Sequence, residues 1–228
     1  MKNLYIKQKQ KDKNKLYTRF SKYCLNHSKD LQELIYPFIN KIEINFNFDN
    51  KYYDILDKEQ RSFYGDCVDS LLSGGSYKKV NCYRYYFHQS MITPDDNLKQ
   101  HIEDTIKEVQ HYLNVYNYTY PRWKTIYYPD GKYRTHLDLI VGNMWNQEEV
   151  FDITINEDNK MMLSKMVELL ALTKFTFGYL NVLNLYNGQW YSLRVKNLPD
   201  NIIHQCSNLF ADFVKVRIKE EEENVDGK

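Results

Sequence analysis

The chain has 228 residues, of which 43% are hydrophobic and 15% aromatic, and its formal net charge is +1 at pH 7. That is enough apolar material to bury one sizeable core, which excludes an intrinsically disordered chain. A charge so near zero excludes a global field as the means of finding nucleic acid, so any such surface has to be local. The cysteines Cys24, Cys67, Cys82 and Cys206 form no C-x-x-C pair, which argues against a zinc module and a dense disulfide framework. No secretory leader is visible, and no apolar run approaches the ~20 residues needed to cross a bilayer. The expectation is a soluble intracellular protein in a reducing compartment, cytoplasmic or nuclear, not secreted and with no membrane partner.

Residues 7–15, KQKQKDKNK, form a basic, non-periodic arm. A solvated terminus is the plainer reading and a phosphate-contacting arm the sharper one. From Leu16 to Ile39 the apolar spacing predicts helical segments, interrupted near Asn26-His27-Ser28. KIEINFNF, 41–48, alternates strictly and predicts a half-buried strand, with a turn at Asp49-Asn50 leading into YYDIL as its hairpin partner. Residues 57–73 read as a helix stopped by Gly74-Gly75. The aromatic and basic stretch 77–91 supports no assignment.

The strongest helix signal covers 94–116, with Thr93 as cap, Pro94 in the first turn and an apolar stripe of Leu98, Ile102, Ile106, Val109 and Leu113. Beside the stripe run His101, Asp104, Glu108 and His111. A metal site needs partners from other helices, so a solvated flank is the favoured reading. Residues 123–128, 133–141 and 148–155 then predict an antiparallel meander. An apolar helix spans about 158–177, and strands YLNVLNLY and QWYSLRV meet at Asn187-Gly188, a strong hairpin signal. A last amphipathic helix carries Leu198, Ile202, Cys206, Leu209, Phe210 and Phe213, and an acidic tail follows Arg217. This order predicts an α+β fold whose mixed sheet uses residues 123–155 and 179–195, flanked by the helices at 97–116 and 158–177.

HLDLIVGN and VFDIT each place one aspartate, Asp138 and Asp152, inside an apolar strand. Fourteen positions and a short connection between them can bring the two carboxylates together. Their repulsion in a dry site is relieved by a divalent cation, and hard oxygen ligands suit Mg²⁺ or Mn²⁺. The plain alternative is that each aspartate caps a strand end or pairs with Arg134 or Lys132. On the residues alone the two readings balance.

The region resembles the PD-(D/E)XK nuclease superfamily, and within it the RecB-like members found in large DNA viruses and phages. YGDCVDSLL, 64–72, looks like the family's first helix, with Asp69 at the place of its acidic residue. HLDLIVGN looks like the strand bearing the first metal-binding Asp, here Asp138, and VFDIT like the D/E-x-K strand, with Asp152 as the second ligand. MVELLALTKF looks like the following Gln-bearing helix, and LNLYNGQWYSLRV like the closing hairpin. The resemblance covers about residues 60–195 and rests on order and spacing. It implies a PD-(D/E)XK-like mixed sheet flanked by helices over 57–217, preceded by an N-terminal extension of arm, helices and hairpin over 1–56 and followed by an acidic tail over 218–228. It also implies Asp138, Asp152 and Asp69 as ligands to Mg²⁺ or Mn²⁺, and a nucleic-acid partner, DNA before RNA; it names no protein partner.

Four positions depart from the family pattern: Thr154 stands for the motif lysine, Glu168 for Gln, Leu172 for Tyr, and Thr135 for a Gly. A lysine that orients the attacking water and offsets developing charge is a large catalytic contribution to lose. Lys165, 13 residues after Asp152, can replace it; cap-snatching RNA endonucleases of segmented negative-strand RNA viruses resemble this layout, with acidic-x-Thr on the strand and the lysine on the next helix. Lys160 is the weaker candidate, and His136 can touch a phosphate or simply pair with Asp138. Three readings follow: a DNA nuclease using Asp138, Asp152 and Lys165; an RNA endonuclease of the cap-snatching type; and a retired, non-enzymatic module that binds nucleic acid or protein. The combined departures lean toward the last.

Overall fold

The computed structural model describes residues 20–49, 51–72, 74–87, 89–115, 120–127, 134–142, 148–155, 158–173 and 177–226. The basic arm, the turn after Tyr127, the loop after Gly142 and the side chains of His136, Arg134 and Lys160 lie outside them. The apolar periodicities generate α1 (Phe20–His27), α2 (Lys29–Ile35), β1 (Ile39–Glu43), α3 (Tyr52–Ile55), α4 (Lys58–Leu72), α5 (Tyr77–Phe87) and α6 (Asp96–Val115). They are followed by β2 (Tyr120–Tyr127), β3 (Arg134–Gly142), β4 (Glu148–Thr154), α7 (Lys160–Thr173), β5 (Tyr179–Asn184), β6 (Gln189–Arg194) and α8 (Asp200–Asp226). The fold is α+β, with a mixed sheet flanked by helices as expected. No helix among the described residues is long and apolar enough to cross a membrane.

The sheet has six strands in the order β1-β6-β5-β4-β3-β2. β2, β3 and β4 form the expected antiparallel meander, and β5 and β6 the expected hairpin. β4 and β5 are parallel, which requires a crossover, and α7 provides it. α7, α1, α2 and α8 cover one face of the sheet, packing on Leu137, Ile140, Val150, Leu180 and Val182. α4 and α6, with Val80 of α5, cover the other, packing on Leu139, Val141, Phe151, Ile153 and Leu183. The sheet thus separates two cores, and a residue that sits between its strands can be reached from both.

Two expectations for the N-terminal segment need correction. The alternating stretch 41–48 does turn Ile42, Ile44, Phe46 and Phe48 toward one core, but the ladder stops at Glu43 because its partner β6 begins at Gln189. Beyond that point side chains of α6 take over the backbone groups: the Tyr112 hydroxyl donates to the Asn45 carbonyl, and the Asn47 N–H donates to Glu108. The expected hairpin partner is the short helix α3. Asp49 turns the chain by accepting the Lys51 N–H at 3.0 Å, which leaves Tyr52 to stack on His101 rather than pair with β1. Gly188 is obligatory where β1 ends. Its φ is +68° and a Cβ there would lie 1.9 Å from the Ile44 carbonyl oxygen, so a side chain meets both backbone strain and a clash.

The helix starts follow local chemistry. Asp57 and Gln60 form a reciprocal capping box at the head of α4, with bonds of 2.8 and 3.1 Å. At α6 the cap is Asp95, whose carboxylate accepts the Leu98 N–H at 2.7 Å, not the expected Thr93. The predicted break at Asn26-His27-Ser28 is real, and Ser28 marks it by donating to the Cys24 carbonyl at 2.6 Å. The unassigned stretch after Ser76 is α5, and the acidic residues after Arg217 continue α8.

Candidate active site

The β3–β4 ladder runs from Gly142↔Glu148 to Leu139↔Phe151 and ends there. One more pair would set Asp138 opposite Asp152. Instead the Asp138 carboxylate accepts the Ile153 N–H at 2.8 Å, so a side chain replaces the ladder bond and the strands part. Below this point β3 continues beside β2 as far as Arg134↔Tyr127, and β4 continues beside β5 as far as Thr154↔Asn184. Asp138 and Asp152 stand at the mouth of the fork.

A bulge accompanies the fork. The β2–β3 register slips by one residue between Arg122 and Lys124, which pair with Ile140 and Leu137. Residues two apart on a regular strand share a face, yet Leu137 belongs to one core and Leu139 to the other. The extra residue in β3 lies at Asp138, where it frees the aspartate from strict alternation; bulges beside active sites commonly re-aim a side chain in this way.

Three further charged groups reach this point. On the α7 side, Lys165 Nζ lies 2.5 Å from Asp152 Oδ1, and Glu168 follows one helical turn later, close enough to feel both charges. From the opposite face α4 contributes Asp69, which interacts with Asp152, Lys165 and Asp138. A neighbouring pair holds α4 to α5: Arg84, with its side chain 3% exposed, donates to Asp66 at 2.6 Å.

Four carboxylates thus share one ammonium in a poorly hydrated place. Burial, then the charge of Asp152, pushes Asp69 up to about 8 against the opposing pull of Lys165. Burial, then Asp69 and Asp152, raises Asp138 well above the carboxylate range. Burial and Asp152 bring Glu168 to about 7. Burial alone would favour a neutral Lys165, but Asp152 and Asp138 outweigh it and keep the ammonium protonated. Surplus negative charge of this kind is what a divalent cation relieves, and an all-oxygen donor set suits Mg²⁺ or Mn²⁺. Among the described residues no three His, Cys, Asp or Glu side chains are grouped tightly enough to hold an ion as they stand. Lys165 takes one Asp152 oxygen and the Ile153 N–H one Asp138 oxygen.

Asp138, Asp152, Asp69 and Lys165, singled out from the sequence, therefore converge. Thr154 is buried at the end of β4 and lines a cleft of about 210 Å³ together with Asp69, Asp66, Gly65 and Ile153. Leu172 is buried in the α7 core. On the flanking stripe of α6, His101 stacks on Tyr52 at 4.3 Å, Asp104 pairs with Lys107, and Glu108 binds Asn47. Sequence reasoning missed Glu168 as a member of the cluster, although its i,i+3 spacing from Lys165 was a usable signal. It also missed Asp66, at the same spacing before Asp69. Comparison with protein-family models, with curated proteins and with solved structures returns no match.

Proposed function

We propose that this chain is a Mg²⁺- or Mn²⁺-dependent nuclease of the PD-(D/E)XK type, in which Lys165 performs the task of the lysine absent at position 154. The observation that carries this reading is the approach of the Lys165 ammonium, from the crossover helix, to the carboxylate of Asp152 at 2.5 Å. An ammonium aimed at the site from α7 can meet the charge that develops on a phosphodiester under attack, whereas the Thr154 hydroxyl can offer only a neutral hydrogen bond. Support also comes from the fork, which sets two strand carboxylates side by side, and from Asp69 on the opposite face.

Asp138, Asp152 and Asp69 would hold the ion, which when bound supplies positive charge to the phosphate and the attacking water. The residues of the chain do the rest. The Ile153 N–H fixes the Asp138 carboxylate, and the charge of Glu168 helps to keep Lys165 protonated. Lys165 orients water for attack on phosphorus. The water oxygen bonds to phosphorus, and the bridging P–O bond breaks with its electron pair going to the departing oxygen. The attacking water gives up a proton to solvent, and the departing oxygen takes one from solvent.

Lys165→Ala should lower Mn²⁺-dependent cleavage of DNA by about 100- to 1000-fold, the usual cost of one such electrostatic contact. Asp138→Asn with Asp152→Asn should abolish the rise in melting temperature that Mn²⁺ gives by binding the native state. Cleavage unimpaired in Lys165→Ala removes the migrated-lysine assignment. An inactive natural protein that gains activity in Thr154→Lys marks a retired nuclease. Because Asp152-x-Thr154 with a helix lysine also fits an RNA endonuclease, the assay carries matched RNA and DNA strands.

A further inference from the structure

A second cavity, of about 420 Å³, is lined by Tyr53, Leu56, Lys58, Arg61 and Ser62. Three of these, Tyr53, Arg61 and Ser62, also line the cleft that ends at Asp69 and Thr154. The two spaces are one groove along α4. Its far end is cationic, and its near end is lined by Asp66 and Asp69 beside Ile153 and Thr154 of β4.

Residues of α3 and α4 build this groove, and they are fixed in place. Arg61 donates through Nε to the Leu56 carbonyl at 2.9 Å and through Nη2 to the Asp54 carbonyl at 2.8 Å. Its guanidinium lies 5.1 Å from the centre of the Tyr53 ring. A third hydrogen bond, from the Tyr186 hydroxyl to the Asp54 carboxylate, ties α3 to the β5–β6 turn. Lys58 is exposed in the first turn of α4. The result is two cations and a hydroxyl beside an aromatic wall, in a space of small-ligand size. Phosphate charge with a planar base is what such a surface recognises, and an unpaired strand can lay a base on the aromatic wall where a paired helix keeps its bases stacked inside.

We propose that this groove is the strand-binding track of the protein: an unpaired nucleic-acid segment lies along α4, with a phosphate beyond the scissile one held by Lys58, Arg61 and Ser62. The assignment rests on the nuclease reading for its direction, since the track leads to Asp69 and the fork. Its cations are separate from the carboxylate cluster, so the two can fail independently. Repulsion from the carboxylates makes strand binding depend on a divalent cation at the near end, and attraction at the far end makes it depend on salt.

The test is fluorescence anisotropy of labelled 12-nucleotide DNA and RNA strands, and of a DNA hairpin duplex, with Ca²⁺ and over a salt series. Lys58→Glu, at an exposed position, and Arg61→Gln should each weaken strand binding about tenfold. The log–log salt slope should become less negative by about one, as for the loss of one phosphate contact. The Mn²⁺-induced rise in melting temperature should be the same in both variants as in the natural protein, because neither residue belongs to the carboxylate cluster. Should Arg61→Gln fail to fold, Lys58→Glu alone carries the test. Unchanged affinity and slope in Lys58→Glu overturn the track, as does a natural protein that binds no strand or binds the hairpin as tightly. Loss of strand binding in Lys58→Glu with no Mn²⁺ response in the natural protein keeps the track and overturns the nuclease reading. A preference for DNA or RNA identifies which strand the track serves.

Discussion

On the α7 face of the sheet the contacts are almost wholly apolar, and they come in two layers. Met162, Met166, Val167, Leu169 and Leu170 are all buried, because α1, α2 and α8 close over α7 from outside. The α4–α6 face has an apolar floor as well, but polar bonds tie its helices and loops together. Tyr64 and Thr105 share a hydrogen bond at 2.5 Å between α4 and α6. Arg84 and Asp66 join α5 to α4, and Asn81 binds Ile92 through both backbone groups. Each face delivers part of the candidate site: Lys165 and Glu168 come from the layered face, Asp69 from the tied one. The comparison teaches that the ammonium stands on a buried, doubly packed helix, while Asp69 is held by bonds that pH or a single substitution can loosen.

The largest effects should come from the layered face. Leu170→Ala and Met166→Ala, both at fully buried positions, should each cost about 2–5 kcal/mol of unfolding free energy through lost burial and a residual cavity. Urea denaturation of the two variants at low and high salt should give the same loss, since no charge is involved. Next comes the tied face. Asp66→Ala leaves the Arg84 guanidinium with the neutral Ser62 hydroxyl and no counter-charge, and should cost about 3 kcal/mol, the low end for a broken buried pair because the Asp66 side chain is 28% exposed. A loss below 1 kcal/mol would erase the distinction between the faces.

The pH response should be smaller and should belong to the carboxylates at the fork. Asp69 and Glu168 have raised folded-state pKa values, about 8 and about 7, so folding favours their protonated forms. Their contribution is complete below about pH 4 and is lost as pH rises through 7–8. Metal-free protein should therefore lose melting temperature between pH 5 and 8.5. Asp69→Asn should flatten that decline and melt a few degrees higher than the natural protein at pH 8.5, at about 2–4 °C per kcal/mol. An unaltered decline in Asp69→Asn would place the strain elsewhere. The smallest effect should be that of Asp57→Ala at the head of α4, about 1 kcal/mol for one lost cap. A thermal melt against Asp57→Asn, which still accepts the cap bond, separates capping from charge.

Much of this arrangement could be read from residue order. Strand runs separated by turn residues pointed to the meander and the β5–β6 hairpin, and two aspartates inside apolar strands pointed to the fork because a dry strand otherwise excludes them. Lys165 was found because a missing charge has to be replaced from nearby. The bulge at Asp138 could not be read, since it appears only as a register slip against β2, and alternation within β3 alone gives no sign of it. β1 was expected too long because the alternation through Phe48 reports burial, which persists, and not ladder pairing, which ends with β6. Glu168 was noted as a departure from a pattern but not as a neighbour of Lys165. The pairing of Arg84 with Asp66 crosses two helices whose packing no local signal announces.

β1 completes one edge of the sheet, and even the least distant pair that joins it to β6, Glu43 with Gln189, lies 146 positions apart. A contact of that span forms late and slowly, whereas the β5–β6 hairpin closes across a four-residue turn. During synthesis at ordinary rates β1 has to wait roughly 7–30 s for its partner to be made. Through that interval the segment from Ile39 to Phe48, with its row of apolar side chains, has no strand to join. The nascent chain is then most open to wrong pairing, and the arrival of β6, led in by Gly188, ends the exposure.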